Sequence, residues 1–317
     1  MTLHLRDSDA AALDRQFELM SAMDVQWVRV DIDWSVVERE RGRFDWSFSD
    51  KVVELAAAHG MNVLAVLGFT PQWARASSTP ATETAHYSRP EKLSDWAVFV
   101  QTAAERYVPR GIRTWEIWNE PNTSKFWPPR PDVNEYGHLF WVAADAVRAV
   151  DPEATLLIGG LGPKFEEPDA EVPPTEYLQL LYANGAAKYA DGIAAHPYSF
   201  PSLPTDVDQR MLGGFRDLPE LHAVMDRNGD GQKKIWITEF GAPTGTGPHA
   251  VSDQDQAVAL LEARERLESW DWSGPLIYYE LVDGGPDLSD TEQNFGVLRE
   301  DLSLKPAAEA LLDGASG

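Results

Sequence analysis

Eight short runs rich in β-branched and aromatic residues alternate along the chain with longer segments whose apolar positions recur every three or four residues. The runs are Thr2–Leu5, Trp27–Ile32, Asn62–Leu67, Thr114–Asn119, Thr155–Gly159, Gly192–His196, Lys234–Glu239 and Leu276–Glu280. Most are almost continuously apolar, which is how parallel strands covered by helices read. In the helical segments, Trp96, Phe99, Val100, Ala103, Ala104 and Tyr107 fall on one face, with Ser94 placed to cap the N-terminus. Ala257, Leu260, Leu261 and Leu267 form a similar stripe after Ser252, and Pro306–Leu312 predicts a last helix.

Strand–helix alternation repeated eight times predicts an α/β fold, a (β/α)₈ TIM barrel formed by residues 1–317 as a single domain. A doubly wound sheet is the second reading, but no Gly-x-Gly-x-x-Gly follows the first strand. The helix-to-strand connections are short, as at His59-Gly60-Met61 and Asp151-Pro152-Glu153. The strand-to-helix connections are long: 68–91, 120–133, 161–174, 197–218, 240–251 and 281–305. Long irregular loops in a compact domain are usually functional, and these gather where barrel enzymes place their chemistry.

Within that frame, Trp115-Glu116-Ile117-Trp118-Asn119-Glu120-Pro121-Asn122 is a β-forming run that stops at an Asn-Glu pair, where Pro121 blocks the ladder. A carboxylic acid at the rim of a sheet, flanked by an amide and indoles, suits a general acid for sugar chemistry. Its partner is Glu239, in Lys234-Ile235-Trp236-Ile237-Thr238-Glu239-Phe240-Gly241. Strand alternation puts Ile235, Ile237 and Glu239 on one face, so isoleucines filling the barrel interior would carry Glu239 into the mouth. One carboxyl each from the fourth and seventh predicted strands converge in this reading. Retaining glycoside hydrolysis needs such a pair about 5–5.5 Å apart.

These two strand ends, Asn119-Glu120-Pro121 and Thr238-Glu239-Phe240-Gly241, resemble the clan of retaining glycoside hydrolases built on (β/α)₈ barrels. The resemblance implies that Glu120 is the acid/base and Glu239 the nucleophile. More narrowly, Trp115–Asn122, the segment Trp27–Trp34 and the segment Ile235–Pro243 are similar to glycoside hydrolase family 39, which includes β-xylosidases, α-L-iduronidases and endoglycosidases acting on exopolysaccharide. Family members commonly carry an additional β-sandwich, and no such region is read here. By the same resemblance Arg29 pairs with the nucleophile, Asn119 binds the sugar 2-hydroxyl and Tyr198 donates to the nucleophile. A structural ion pair of Arg29 with Glu116 or Asp31 is the competing reading. His196, two residues before Tyr198, is expected to face the same mouth.

Sugar rings stack on aromatic faces. Trp34, Phe69, Trp73, Trp118, Phe126, Trp127, Phe200, Tyr278 and Tyr279 lie at the predicted rim, while Trp96, Trp141 and Trp236 are expected in the core. Trp73 and Trp127, in long loops beside proline, are subsite candidates. Tyr279 stands where the clan often has a tryptophan platform, and Glu280 is a further substrate-binding candidate.

Composition narrows the partners. With 27 Lys+Arg against 51 Asp+Glu the net charge is −24, which disfavours nucleic acid and anionic membranes. No apolar run approaches the ~18 residues of a membrane span. There is no cysteine, and the seven histidines form no His-x-His or His-x-x-x-His pair, so no metal and no cofactor is expected. Asp226–Gly231 resembles the start of a calcium loop, but Ile237 occupies the position that requires Glu, so a tight turn is the better account. The segment Gly241–Gly247 lacks a basic residue for phosphate and reads as a mobile lid. The expected protein is a monomer acting on a polysaccharide or oligosaccharide, endo-acting by its long loops. An exo-acting β-xylosidase-like enzyme and a non-catalytic carbohydrate-binding barrel are the alternatives. Polysaccharide cleavage suits secretion, yet Met1–Arg6 shows no signal-peptide pattern.

Overall fold

A computed structural model describes residues 1–3, 10–164, 171–206 and 211–315. Seven parallel strands, β1 (Trp27–Asp33), β2 (Asn62–Gly68), β3 (Thr114–Ile117), β4 (Thr155–Leu161), β5 (Gly192–Ala195), β6 (Lys234–Phe240) and β7 (Ser273–Tyr278), pair in sequence order. Parallel neighbours require a crossover, and helices supply it, among them Ser47–Ala58, Leu93–Tyr107, Val133–Arg148, Leu218–Arg227 and Asp253–Glu268. The fold is therefore α/β. The first predicted strand is reduced to a bridge at Thr2, yet that bridge touches both edges of the sheet. Leu3 N donates to Arg29 O (3.4 Å) and Arg29 N to Met1 O (3.0 Å) on β1, while Thr2 N donates to Tyr278 O (2.8 Å) on β7. His4 and Leu5 lie outside the described residues.

The sheet has two distinct faces. Val28, Val30 and Ile32 of β1, Trp115 and Ile117 of β3, and Ile235 and Ile237 of β6 join the large core with Phe17, Trp96, Phe99 and other helix residues. The opposite face gathers Leu64, Leu157, Ala194 and Ile277, with Trp27 and Trp236 packed on them edge to face at 5.0 Å. Side chains from six strands thus meet on one face, as they do when a sheet curls round them. This reverses the expected alternation on β6: Ile235 and Ile237 face helices, and Trp236 faces inward. Glu239 still reaches the mouth because the β6–β7 register shifts between Ile237 and Phe240, a kink that re-aims a side chain.

Two helix details also differ. Helix Leu93–Tyr107 has Lys92, not Ser94, at its N-cap, with no side-chain cap, although the predicted stripe from Trp96 to Tyr107 is buried. Ser252 does cap Asp253–Glu268 by accepting from Asp255 N (3.0 Å), but Leu261 is 38% exposed while Ala257, Leu260 and Leu267 are buried. Leu261 sits at the margin of the stripe, one position round from Leu260, and is turned toward solvent. β7 begins three residues before its predicted start, because Gly274-Pro275 reads as a breaker yet sits in the strand.

Candidate active site

β3 ends at Ile117, and the chain then turns through left-handed conformations at Trp118 (φ 72°) and Glu120 (φ 42°). Non-glycine residues hold such angles only where surroundings over-determine them. Here Trp118 N donates to Leu67 O (2.8 Å), its indole Nε1–H to Phe126 O (2.8 Å), and Glu120 N to Gly160 O (3.0 Å). Asn122, not singled out from sequence, fastens the opposite wall: its Nδ2 donates to Gly162 O (2.7 Å) and its Oδ1 accepts from Gly162 N (3.0 Å). A Cβ at Gly162 would stand 2.8 Å from Glu120 Cδ. Gly162→Ala is therefore expected to push the Glu120 carboxyl aside rather than unfold the chain, because a side-chain end yields easily. kcat should drop about 100-fold with melting temperature little changed, read by parallel kinetics and thermal unfolding.

Glu239 is held from three sides. Arg29 Nη1 donates to Oε1 at 2.5 Å, Tyr198 Oη–H to Oε2 at 2.8 Å, and His196 Nδ1 lies 3.4 Å from Oε2. Arg29 also donates through Nε to Glu116 Oε2 (3.0 Å) and through Nη2 to Glu116 Oε1 (3.2 Å) and Asn119 Oδ1 (2.8 Å). The competing readings of Arg29 thus combine: one guanidinium serves a structural carboxylate and the candidate nucleophile together. Asn119 accepts through its oxygen, so its amide N–H groups remain to donate toward the cleft.

His196 joins the two halves. Its Nδ1 lies 2.9 Å from Glu120 Oε1, and its Nε2 is 3.1 Å from Thr238 Oγ1 and 3.7 Å from Glu116 Oε1. Ligating atoms of Glu120, His196 and Glu239 all fall within 4.8 Å of one another, close to the spacing that retention requires. Burial by itself would lower the His196 pKa, but Glu239, Glu116 and Glu120 raise it to about 9. Burial would raise Glu239, yet His196, Arg29 and the Tyr198 hydroxyl hold it below the usual carboxylate value. Glu116, buried but beside Arg29 and His196, is brought to about 2. A protonated imidazole and an adjacent guanidinium make this trio a poor cation site despite its spacing.

The carboxyls open into a cleft of about 480 Å³ lined by Arg29, Asp31, Asn119, Glu120, Tyr198, Glu239 and Tyr279, with Phe69, Tyr87, Phe126, Phe200 and Phe295 as aromatic walls. Tyr87, Phe295, Asp31, Lys125 and Glu292 had drawn no notice as cleft residues, since they reach it from loops whose course no local pattern reveals. All four tryptophans expected at the rim belong elsewhere, Trp118 being fully buried and outside the cleft lining. Trp34 is fully buried, stacks on Phe99 (5.2 Å) and donates to Glu38 (2.6 Å). Trp73 packs edge-on against Trp34 and donates to Glu38 O (2.8 Å). Trp127 is buried between Trp118 and Tyr136. Proline-flanked loops here fold back into the core, so their indoles anchor the loops. Tyr278 likewise points to Leu260 O. Glu280 is buried and off the cleft lining; burial, with Asp283, Glu292 and Glu239 nearby, keeps its pKa well above the carboxylate range.

The loop at Gly241–Gly247 is pinned rather than free: Thr244 N donates to Asn294 O (2.9 Å) and Thr246 N to Leu288 O (2.7 Å). The long 281–305 loop lies against it, a contact invisible to local reading. Asp226–Gly231 is a turn, with Gly229 N on Asp226 O (3.0 Å) and Asp230 paired to Lys233 (2.9 Å).

Residues 4–200, more than half the chain, match the family model for glycosyl hydrolases family 39. The chain belongs to glycosyl hydrolase family 39. This family-39 chain is similar to a beta-xylosidase of Geobacillus stearothermophilus, 32% identical over 126 residues that make up 37% of this chain and 24% of that protein. In structure it resembles a family 39 glycoside hydrolase from the gut symbiont Bacteroides cellulosilyticus WH2 (TM-score 0.77, 24% identity, covering 99% of this chain and 62% of that one). It also resembles a monomeric beta-xylosidase from Caulobacter crescentus CB15 (TM-score 0.70, 19% identity, 94% and 63% covered). The family-39 chain thus spans about a quarter of the curated relative's length and under two thirds of these solved chains.

Proposed function

We propose that this family-39 chain hydrolyses glycosidic bonds with retention of anomeric configuration, on a single (β/α)₈ domain in which the Met1–Leu3 segment stands as the eighth strand. The observation that carries the reading is the trio of Glu120, His196 and Glu239 within 4.8 Å. Glu239, kept ionised by Arg29 and His196, attacks the anomeric carbon to form a glycosyl-enzyme. Glu120 gives its proton to the leaving oxygen, then takes one from the water that releases the sugar. Asn119 donates to the sugar 2-hydroxyl, and the aromatic walls stack on ring faces. The substrate is a polysaccharide or oligosaccharide, and no cofactor enters the scheme.

The long loops support endo-action. An exo-acting, β-xylosidase-like reading is favoured by one feature. Lys125, from the loop after β3, approaches Glu292, from the loop after β7, to 4.0 Å, and both line the cleft. With Thr2 between β7 and β1, β3 and β7 stand opposite each other, so the pair crosses the opening and narrows the passage for an internal chain segment.

Proton NMR of the first product released from an oligosaccharide should show the anomeric configuration of the substrate. An inverted first product would refute the scheme. Product sizes from a polysaccharide, with the Glu120→Gln protein as blank, separate endo from exo cleavage and hydrolysis from transglycosylation.

A further inference from the structure

Arg29 and Asp31 occupy alternate positions of β1 and share the face opposite the buried Val28, Val30 and Ile32. Both line the catalytic cleft, but their situations differ. Four of the five N–H donors of Arg29 are used by Glu116, Glu239 and Asn119, and its charge is flanked by two carboxylates. The Asp31 carboxylate, half-buried, has no side-chain hydrogen bond or ion pair among the described residues, although its charge acts on Arg29. A partly desolvated carboxylate without a donor is unfavourable unless something else supplies one. Asp31 lies close enough to Tyr279, the platform residue of the cleft, to act on it electrostatically.

The remaining charge around the opening has the same sign. Glu292 lines the cleft with Asp31, and Lys125 approaches Glu292 to 4.0 Å. Of the cations among the described lining residues, Arg29 is flanked by two carboxylates and Lys125 stands beside Glu292.

We propose that Asp31 is a substrate-binding residue that selects a neutral sugar: its carboxylate accepts hydrogen bonds from sugar hydroxyls and repels sugars that carry a carboxylate of their own. This rests on the glycosidase reading above and narrows its substrate class. Hydroxyl-to-carboxylate hydrogen bonds are charge-assisted and short, and two adjacent ring hydroxyls can engage both oxygens of one carboxylate. A uronate beside Asp31 instead sets like charges together in a cleft partly shielded from water.

The test compares 4-nitrophenyl β-glucoside with 4-nitrophenyl β-glucuronide, which differ only in a hydroxymethyl or carboxylate at C6, together with the β-xyloside, which has neither. Wild-type kcat/KM on the best neutral glycoside should exceed that on the glucuronide by about 100-fold or more. Asp31→Asn keeps the side-chain size and removes the charge. It should raise KM on that neutral glycoside about tenfold and narrow the neutral-to-uronide ratio by a similar factor. A residue that merely tunes the field at Glu239 would instead shift the pH profile equally for every glycoside. Equal wild-type turnover of glucoside and glucuronide, or an Asp31→Asn protein with unchanged KM and ratio, overturns the proposal. Titrating Glu120→Gln with the same glycosides by calorimetry, with and without Asp31→Asn, reads the preference as binding. Neutral binding weakened by Asp31→Asn, with no hydrolysis in the wild type, would sink the reaction and leave the role of Asp31 standing. Binding of the uronide as tightly as the neutral sugar, or of no glycoside, would sink the role of Asp31.

Discussion

Glu239→Ala is expected to lower kcat/KM by roughly 10⁴-fold or more, the scale seen when a covalent nucleophile is removed, while the chain keeps its fold. Arg29 retains both bonds to Glu116 in that variant, so the buried cation stays paired. The emptied space beside the anomeric carbon would admit a small anion. Added azide should therefore restore turnover of an activated aryl glycoside and give a glycosyl azide of inverted configuration. The same rescue of Glu120→Ala should give the retained azide, because there the anion replaces the water on the other face. Opposite stereochemistry from the two variants distinguishes the roles directly. A binding barrel without chemistry would show neither the loss nor the rescue.

The second large effect falls on stability. Arg29→Met removes the guanidinium from between Glu116 and Glu239 and leaves Glu116 buried with His196, 3.7 Å away, as its remaining cationic neighbour. Losing one partner of a buried pair costs about 3–5 kcal/mol, and denaturant unfolding at pH 7 should show a deficit of that order together with loss of activity. The pH dependence has a definite sign. In the wild type the folded-state pKa of Glu116 is lowered from 4.5 to about 2, so its contribution is present above pH 4.5 and lost as pH falls through 2. Without Arg29, burial favours the neutral acid and His196 is the neighbour left to oppose it, so the Glu116 pKa rises from its wild-type position. The deficit of the variant should then shrink between pH 7 and pH 4, as Glu116 takes up a proton. A deficit unchanged over that interval would show that Glu116 is not the group left exposed to the loss.

Much of the candidate site's arrangement was legible along the chain because it depends on strand ends. Arg29 and Glu239 sit inside strands, and Asn119, Glu120, His196 and Tyr198 within three residues of a strand end. Their convergence follows from parallel topology. What alternation alone misjudged was β6. Glu239 lies in the mouth although Ile235 and Ile237 face the helices, and the register shift before Phe240 has no signature in residue type.

The aromatic rim was the least legible part. Trp34, Trp73 and Trp127 follow strands or lie in long loops, as subsite residues do, but a large indole in a loop is also the means by which the loop is tied to the core. Trp73 and Trp34 share Glu38 as hydrogen-bond acceptor, and Trp127 fills the gap between Trp118 and Tyr136. Phe295 and Tyr87 reached the cleft instead, brought by contacts between loops distant in sequence. The same kind of contact, from residues 288–294, holds the Gly241–Gly247 segment in place.

The committed state of Arg29 bears on ligand design. Its hydrogen bonds to Glu116, Glu239 and Asn119 use four of its five N–H donors, and two carboxylates balance its charge. A tight inhibitor of this cleft therefore gains little from an acidic warhead aimed at the arginine. Under the proposed mechanism the productive charge is positive, carried on a ring nitrogen at the anomeric position between Glu239 and Glu120.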